Sequence, residues 1–164
     1  MAIKGNGKAV MESLSRLDAI CDAGYAVALH IRYTAPKFLF QTYARDWMET
    51  YSQRALVLKD PTVLWGFDNT GAIRWRDLEP LDTEGVLELA RAHGLNHGFT
   101  FAIDDKDGRT ISSFARKDRE FSDDEISEIS GIVRDLHSHT AGIDDISPAE
   151  RAQLKNMSVA FTRP

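Results

Sequence analysis

Apolar and polar residues recur along this chain with two different periods, and the switches between them mark out its elements. From Lys8 to Ala23, Val10, Leu14, Leu17 and Cys21 fall on one helical stripe, and Gly24 is placed to end the helix in a left-handed conformation. Tyr25–Tyr33 is dense in apolar and β-favouring residues and predicts a strand, which Pro36 breaks before a shorter one at Lys37–Phe40. Helical spacing returns from Thr42 to about Arg54, and Ala72–Trp75 predicts a short strand. Asp82-Thr83 is placed to cap a helix that runs to His93 and stops at Gly94. Phe99–Asp104 and Thr110–Ala115 flank Asp105-Lys106-Asp107-Gly108, a hairpin turn. Ser122-Asp123-Asp124-Glu125 is a capping box with Phe121 before it as a staple. Ile126, Ile129, Ile132, Val133 and Leu136 then carry a helix to about Thr140.

Strands joined by short turns imply an antiparallel sheet, and helices before, between and after them imply cover on both faces. The expected fold class is α/β, an α/β/α sandwich with a central antiparallel sheet of about five strands. The chain has 164 residues, 43% of them hydrophobic, enough for one respectable core. No apolar run approaches the roughly 20 residues of a membrane-spanning helix, and the first residues lack the apolar stretch of a secretory signal. Cys21 is the only cysteine, which excludes an intrachain disulfide or a cysteine-built zinc site. A cytoplasmic location is the expectation.

A formal charge of −5 and scattered basic residues argue against non-specific nucleic-acid binding, which relies on neutralising phosphates. Arg74-Trp75-Arg76 is too short to be a footprint. His137 and His139 stand two apart on a helix and point in different directions, with no carboxylate spaced to complete a metal site. His30 sits in an apolar strand as a satisfied core residue, and His93 and His97 fall at loop positions. Asp104-Asp105-Lys106-Asp107 lacks a calcium loop and reads as a solvated turn. There is no phosphate loop, dinucleotide fingerprint or nucleophile elbow, so neither an enzyme nor a cofactor is expected.

The chemistry concentrates elsewhere. Tyr43, Trp47 and Tyr51 are four apart, on one drifting helical face, and Asp60-Pro61 and Trp75 follow. Alone, an aromatic stripe is usually core, and Asp-Pro usually starts a turn or helix. Together, aromatic walls, polar ring tips and a carboxylate suit a pocket for a small amphipathic molecule.

The ordered set Tyr43-x3-Trp47-x3-Tyr51-x8-Asp60-Pro61-x13-Trp75 resembles the autoinducer-binding domain of LuxR-type quorum-sensing transcriptional regulators. Gly94-x3-Gly98-Phe-Thr, the hairpin at Asp107-Gly108 and the strand Ala28-Leu29-His30-Ile31 extend the resemblance over roughly residues 8–140. It implies an α/β/α sandwich with a cavity between the sheet and one helical layer, and N-acyl-homoserine lactones as ligands. By resemblance, Trp47 donates to the lactone carbonyl, Asp60 accepts the ligand amide N–H and Tyr43 donates to the acyl carbonyl. Tyr51 packs along the acyl chain and Trp75 walls the lactone ring.

The family commonly carries a serine or threonine where this chain has Phe114, which has no hydrogen bond to offer. Ser112 lies on the same strand face and could substitute. Otherwise the pocket is narrower, or takes another ligand, or none. The expected division is a ligand-binding domain over 1–142 and, over 143–164, a linker with the start of a helix-turn-helix domain. In that second piece, Ser147-Pro148-Ala149-Glu150 resembles the opening of the family's DNA-binding domain. The chain is then either a fragment or a naturally shortened regulator. Expected partners are a lactone or similar ligand and a homodimer or related regulator, docked through a helical face such as Ile126–Leu136. DNA is reached only through the missing domain. The alternative is a ligand-independent dimerisation module, or an antagonist of a full-length regulator.

Overall fold

The computed structural model describes residues 2–33 and 35–141. Helix α1 (Ala2–Ile20) buries Val10, Leu14 and Leu17 completely or nearly so, and Cys21, just past its end, is buried with them. Strand β1 (Gly24–Arg32) follows at once, and Gly24, with φ +103°, has no room for a side chain against the backbone of Thr42 and the ring of Tyr43. β2 (Ala35–Gln41) pairs antiparallel with β1. Pro36 does not break β2 but lies inside it, opposite Ile31. It is tolerated because β2 is an edge strand, where a missing N–H costs no ladder bond on the solvent side.

Next come α2 (Arg45–Gln53), α3 (Pro61–Asp68), β3 (Gly71–Arg74), α4 (Trp75–Leu78) and α5 (Val86–Ala92). Trp75 therefore opens a helix rather than ending a strand. The start of α5 also differs from expectation. Gly85, in the left-handed region at φ +70°, is the residue before the helix, while the Asp82 carboxylate reaches over to accept the N–H groups of Val86 and Leu87, each at 2.9 Å. β4 (His97–Asp105) and β5 (Gly108–Arg116) form the second hairpin. α6 (Asp123–His139) begins at the expected reciprocal box between Ser122 and Glu125.

The sheet runs β2-β1-β5-β4-β3, every neighbour antiparallel. On one face Tyr25, Val27, Leu29, Phe99, Phe101 and Phe114 pack against α1 and α6. The other face carries the smaller Ala23 and Ala115 and is covered by Tyr43, Trp47, Trp75, Leu78, Val86 and Leu87 from the segment between β2 and β4. The result is the expected three-layer sandwich.

One docking expectation is overturned. Ile129, Ile132, Val133 and Leu136 are at most 1% exposed, so this face of α6 is spent on the protein's own core and cannot meet a partner. The segment 143–164, including Ser147–Glu150, lies outside the described residues. Among the described residues no helix is long and apolar enough to cross a membrane.

Candidate functional site

Five of the six expected site residues converge on the second face of the sheet. Tyr43 comes from the β2–α2 connection, Trp47 and Tyr51 from successive turns of α2, Asp60 from the start of α3 and Trp75 from the start of α4. Tyr43, Trp47 and Trp75 are buried in one apolar cluster, with Tyr51 packed against it. The Trp47 and Tyr51 ring centroids lie 5.7 Å apart. His93, at the end of α5, brings its ring to 5.2 Å from that of Trp47.

Asp60 is the polar centre. It is 8% exposed and caps α3, with Pro61 at the first helical position. Its Oδ1 accepts from the Thr62 N–H at 2.9 Å and the Thr62 hydroxyl at 2.7 Å. Its Oδ2 accepts from the Tyr51 hydroxyl at 2.7 Å. The helix-cap and ligand readings of Asp60 are therefore compatible, since a carboxylate offers roughly four lone-pair directions. Burial pushes the Asp60 carboxyl above its usual range, against the opposing pull of the Tyr51 and Thr62 hydrogen bonds. Burial and the neighbouring Asp60 also push the Tyr43 and Tyr51 hydroxyls far up, so both phenols keep their protons and act as donors.

Sequence spacing suggested a buried acid and ring donors in need of an outside partner. The structure instead satisfies much of this need internally. Tyr51 turns its hydroxyl to Asp60, and the Tyr43 hydroxyl donates to the Ser113 carbonyl at 3.2 Å. Ser113 is 70 residues from Tyr43, and Tyr51 reaches Asp60 only because the turn after α2 folds back, so helical spacing alone reveals neither bond.

Trp75 shows how the sheet receives a large ring. Its six-membered ring lies flat on Gly98, where an added Cβ would come within 2.4–2.6 Å of ring atoms. Gly98 is thus the floor on which the indole rests. From there Nε1–H donates to Thr100 Oγ1 at 3.2 Å, and Thr100 Oγ1 lies 2.7 Å from Ser113 Oγ.

Ser112, the sixth expected residue, is placed apart from the others. It is 1% exposed and donates to the Phe101 carbonyl at 2.7 Å. It does share a face with Thr110 and Phe114, but that face looks toward α1 and α6. Phe114 consequently does not narrow a cavity on the other side. The hydroxyl facing the Trp75 layer belongs to Ser113, which the hairpin register sets opposite Thr100. Thr100, Ser113 and His93 were missed. Counting the register outward from the Asp105–Gly108 pair identifies the first two. A shallow open groove lined by Arg45, Met48, Glu49, Ser52 and Gln53 lies on the outer side of α2, away from this polar set.

The chain is thus a three-layer sandwich with a buried acid among aromatic rings between the sheet and one helical layer. The solution structure of residues 1–171 of Escherichia coli SdiA has this fold, with a TM-score of 0.65, 20% identity, and coverage of 88% of this chain and 92% of that one. A crystal structure of the same organism's SdiA gives 0.63 and 22%, covering 85% of this chain and 65% of that one, so this chain spans less than two thirds of it. CepR2 from Burkholderia cenocepacia, described as an N-acylhomoserine lactone dependent LuxR family transcription factor, gives 0.58 and 16%, covering 85% and 90%. A comparison with curated proteins gives no match. The family model for the autoinducer binding domain matches residues 13–140, and the chain belongs to that family.

Proposed function

We propose that this domain binds an N-acyl-homoserine lactone between the sheet and the α2–α5 layer. The observation that carries the reading is the unfinished coordination of Asp60. Three donors from Tyr51 and Thr62 hold a buried carboxylate that has roughly four acceptor directions, leaving one on Oδ2 beside the aromatic cluster. An amide N–H is the complement of that lone pair. Tyr51 then positions the acid as well as packing beside the acyl chain. Trp47 donates its indole N–H to the lactone carbonyl, Tyr43 turns from the Ser113 carbonyl to the acyl carbonyl, and Trp75 walls the ring. Ser113 and Thr100, rather than Ser112, provide the hydroxyls under the head group.

Rings in mutual contact must part to admit a ligand, so binding repacks this half of the core and the bound molecule becomes part of it. Dimerisation and control of transcription would follow through a DNA-binding domain outside the described residues or in a partner regulator. SdiA has also been solved with octanoyl-rac-glycerol, an ester that has no amide N–H but carries free hydroxyls on its glycerol head, and a hydroxyl can also donate to a carboxylate. A ligand of that kind is a second possibility for Asp60.

Internal satisfaction of Tyr51 and Tyr43 favours the other reading, a dimerisation module that takes no ligand. Thermal unfolding against a panel of acyl-homoserine lactones and monoacylglycerols decides between them. A rise of several degrees with one lactone supports the proposal. A response to acylglycerols alone replaces the lactone, and a flat panel replaces both with the module.

A further inference from the structure

A second cluster of ionisable groups lies on the opposite side of the sheet, at the junction of the β4–β5 turn with the last turn of α6. His137 is 3% exposed, and its ring is held on two sides. It stacks on His30 with centroids 4.5 Å apart, and its Nδ1 lies 2.7 Å from the Thr110 hydroxyl. The remaining nitrogen, Nε2, is aimed outward at Asp105 Oδ1, 2.9 Å away. Asp107, two residues on, is also exposed, and donor atoms of Asp105, Asp107 and His137 all lie within 4.8 Å of one another. The Asp107 backbone N–H donates to Asp105 Oδ1 at 2.9 Å, which fixes the turn.

We propose that His137 Nε2, Asp105 and Asp107 form a binding site for a divalent first-row transition metal, Zn2+ by the character of the donors. One imidazole nitrogen and two carboxylates are a borderline nitrogen–oxygen set. Together they offset the charge of a divalent ion. Bonds of about 2.0–2.2 Å place neighbouring ligand atoms roughly 3–3.5 Å apart, a rearrangement that exposed aspartates on a turn can make. Thr110 supplies the outer support. Its oxygen can accept from His137 Nδ1–H, which leaves Nε2 bare for the metal, as ligating histidines require of their second nitrogen. The Lys106 ammonium in the same turn opposes binding and limits affinity. Water completes the coordination through the open side.

Neither half of this site is visible alone in the sequence. His137 has no carboxylate three or four residues away on its own helix, and the aspartates form an ordinary turn. The hairpin and α6 bring them together across a gap of some 30 positions. A metal here would clamp the β4–β5 turn to the end of α6 close to Thr140 and Ala141, where the described chain ends.

The test is calorimetric titration of chelator-stripped, tag-free protein with ZnCl2, with MgCl2 as the hard-cation comparator and Co2+ absorption as a spectroscopic probe. The expected result is one saturable zinc equivalent, no response to Mg2+, and a higher melting midpoint with zinc. Asp107→Asn alters an exposed turn residue and should keep the metal-free midpoint while weakening zinc at least tenfold. Asp105→Asn should weaken it similarly and change the cobalt spectrum. Zinc binding unchanged in both variants would place any bound ion elsewhere, such as at His97 and Glu120, and overturn the proposal. So would the absence of saturable binding.

Discussion

Asp60→Asn separates the ligand role of this side chain from its role in the fold. The amide oxygen of asparagine can still accept from the Thr62 N–H and hydroxyl, now 2.9 and 2.7 Å from Asp60 Oδ1. The amide nitrogen then faces the Tyr51 phenol, whose oxygen can accept from it. What disappears is the charge and the remaining lone pair on Oδ2. A ligand N–H would meet another N–H. A hydrogen bond to a charged group contributes about 1.5–3 kcal/mol, so affinity should fall roughly 10- to 150-fold.

The assay is thermal unfolding with and without the best lactone. At a ligand concentration of about 100 times Kd, wild type gains about 2.7 kcal/mol, or roughly 5–11 °C for a domain of this length. With Kd raised about a hundredfold, the same ligand gives only about 0.4 kcal/mol, or roughly 1–2 °C. The ligand-free variant should melt no lower than wild type at neutral pH. Burial raises the Asp60 carboxyl above its usual 3.8. Its favourable contribution is therefore complete below the unfolded-state value and lost as pH rises through the folded-state one. Asparagine removes that loss. A variant that keeps the full lactone shift refutes the assignment. One that melts far lower without ligand shows that Asp60 is chiefly a structural cap.

The same carboxyl predicts that wild-type affinity declines on acidification before 3.8 is reached, as Oδ2 gains a proton; calorimetry over that range should show no such decline for Asp60→Asn. Gly98→Ala pushes a methyl into the Trp75 ring, now 2.4–2.6 Å from that position, and should cost about 1–3 kcal/mol in urea unfolding, with a change in tryptophan emission. Ser113→Ala should weaken the lactone and Ser112→Ala should not; Ser112→Ala instead loses about 0.5–1.5 kcal/mol of stability with its bond to the Phe101 carbonyl. Equal effects on affinity would show that the strand faces are misassigned. Ser122→Ala should cost roughly 1 kcal/mol by opening the box at the start of α6. The Arg119 guanidinium holds its partner Glu125 down to about 2, so that contribution is complete above 4.5 and fades as pH falls toward 2. Stability curves of wild type and Arg119→Ala that differ equally at every pH would contradict this.

Periodicity found the elements well where one face of each is buried. The stripe of α1, the box of α6 and the β4–β5 turn each follow from local side-chain chemistry. Pro36 and Trp75 were misread because their roles depend on neighbours. A proline is admissible in β2 only because that strand is at the sheet edge, and Trp75 leaves the strand because Gly98 receives its ring. The α6 stripe Ile126–Leu136 was legible as apolar, but an apolar stripe does not state what covers it.

The candidate site divides in the same way. Spacing alone put Tyr43, Trp47 and Tyr51 on one side of a helix, and Asp60-Pro61 at a helix start. These are properties of consecutive residues and survive without knowledge of the fold. Ser113 rather than Ser112, the Tyr51–Asp60 bond and the meeting of His137 with Asp105 were decided only by tertiary structure. A one-residue step in a strand turns a side chain to the opposite face, and the register that fixes the step is set between strands. Hydrogen-bond partners come from whichever segment the packed layers bring within reach, so the sequence named the groups and the folded chain chose their partners.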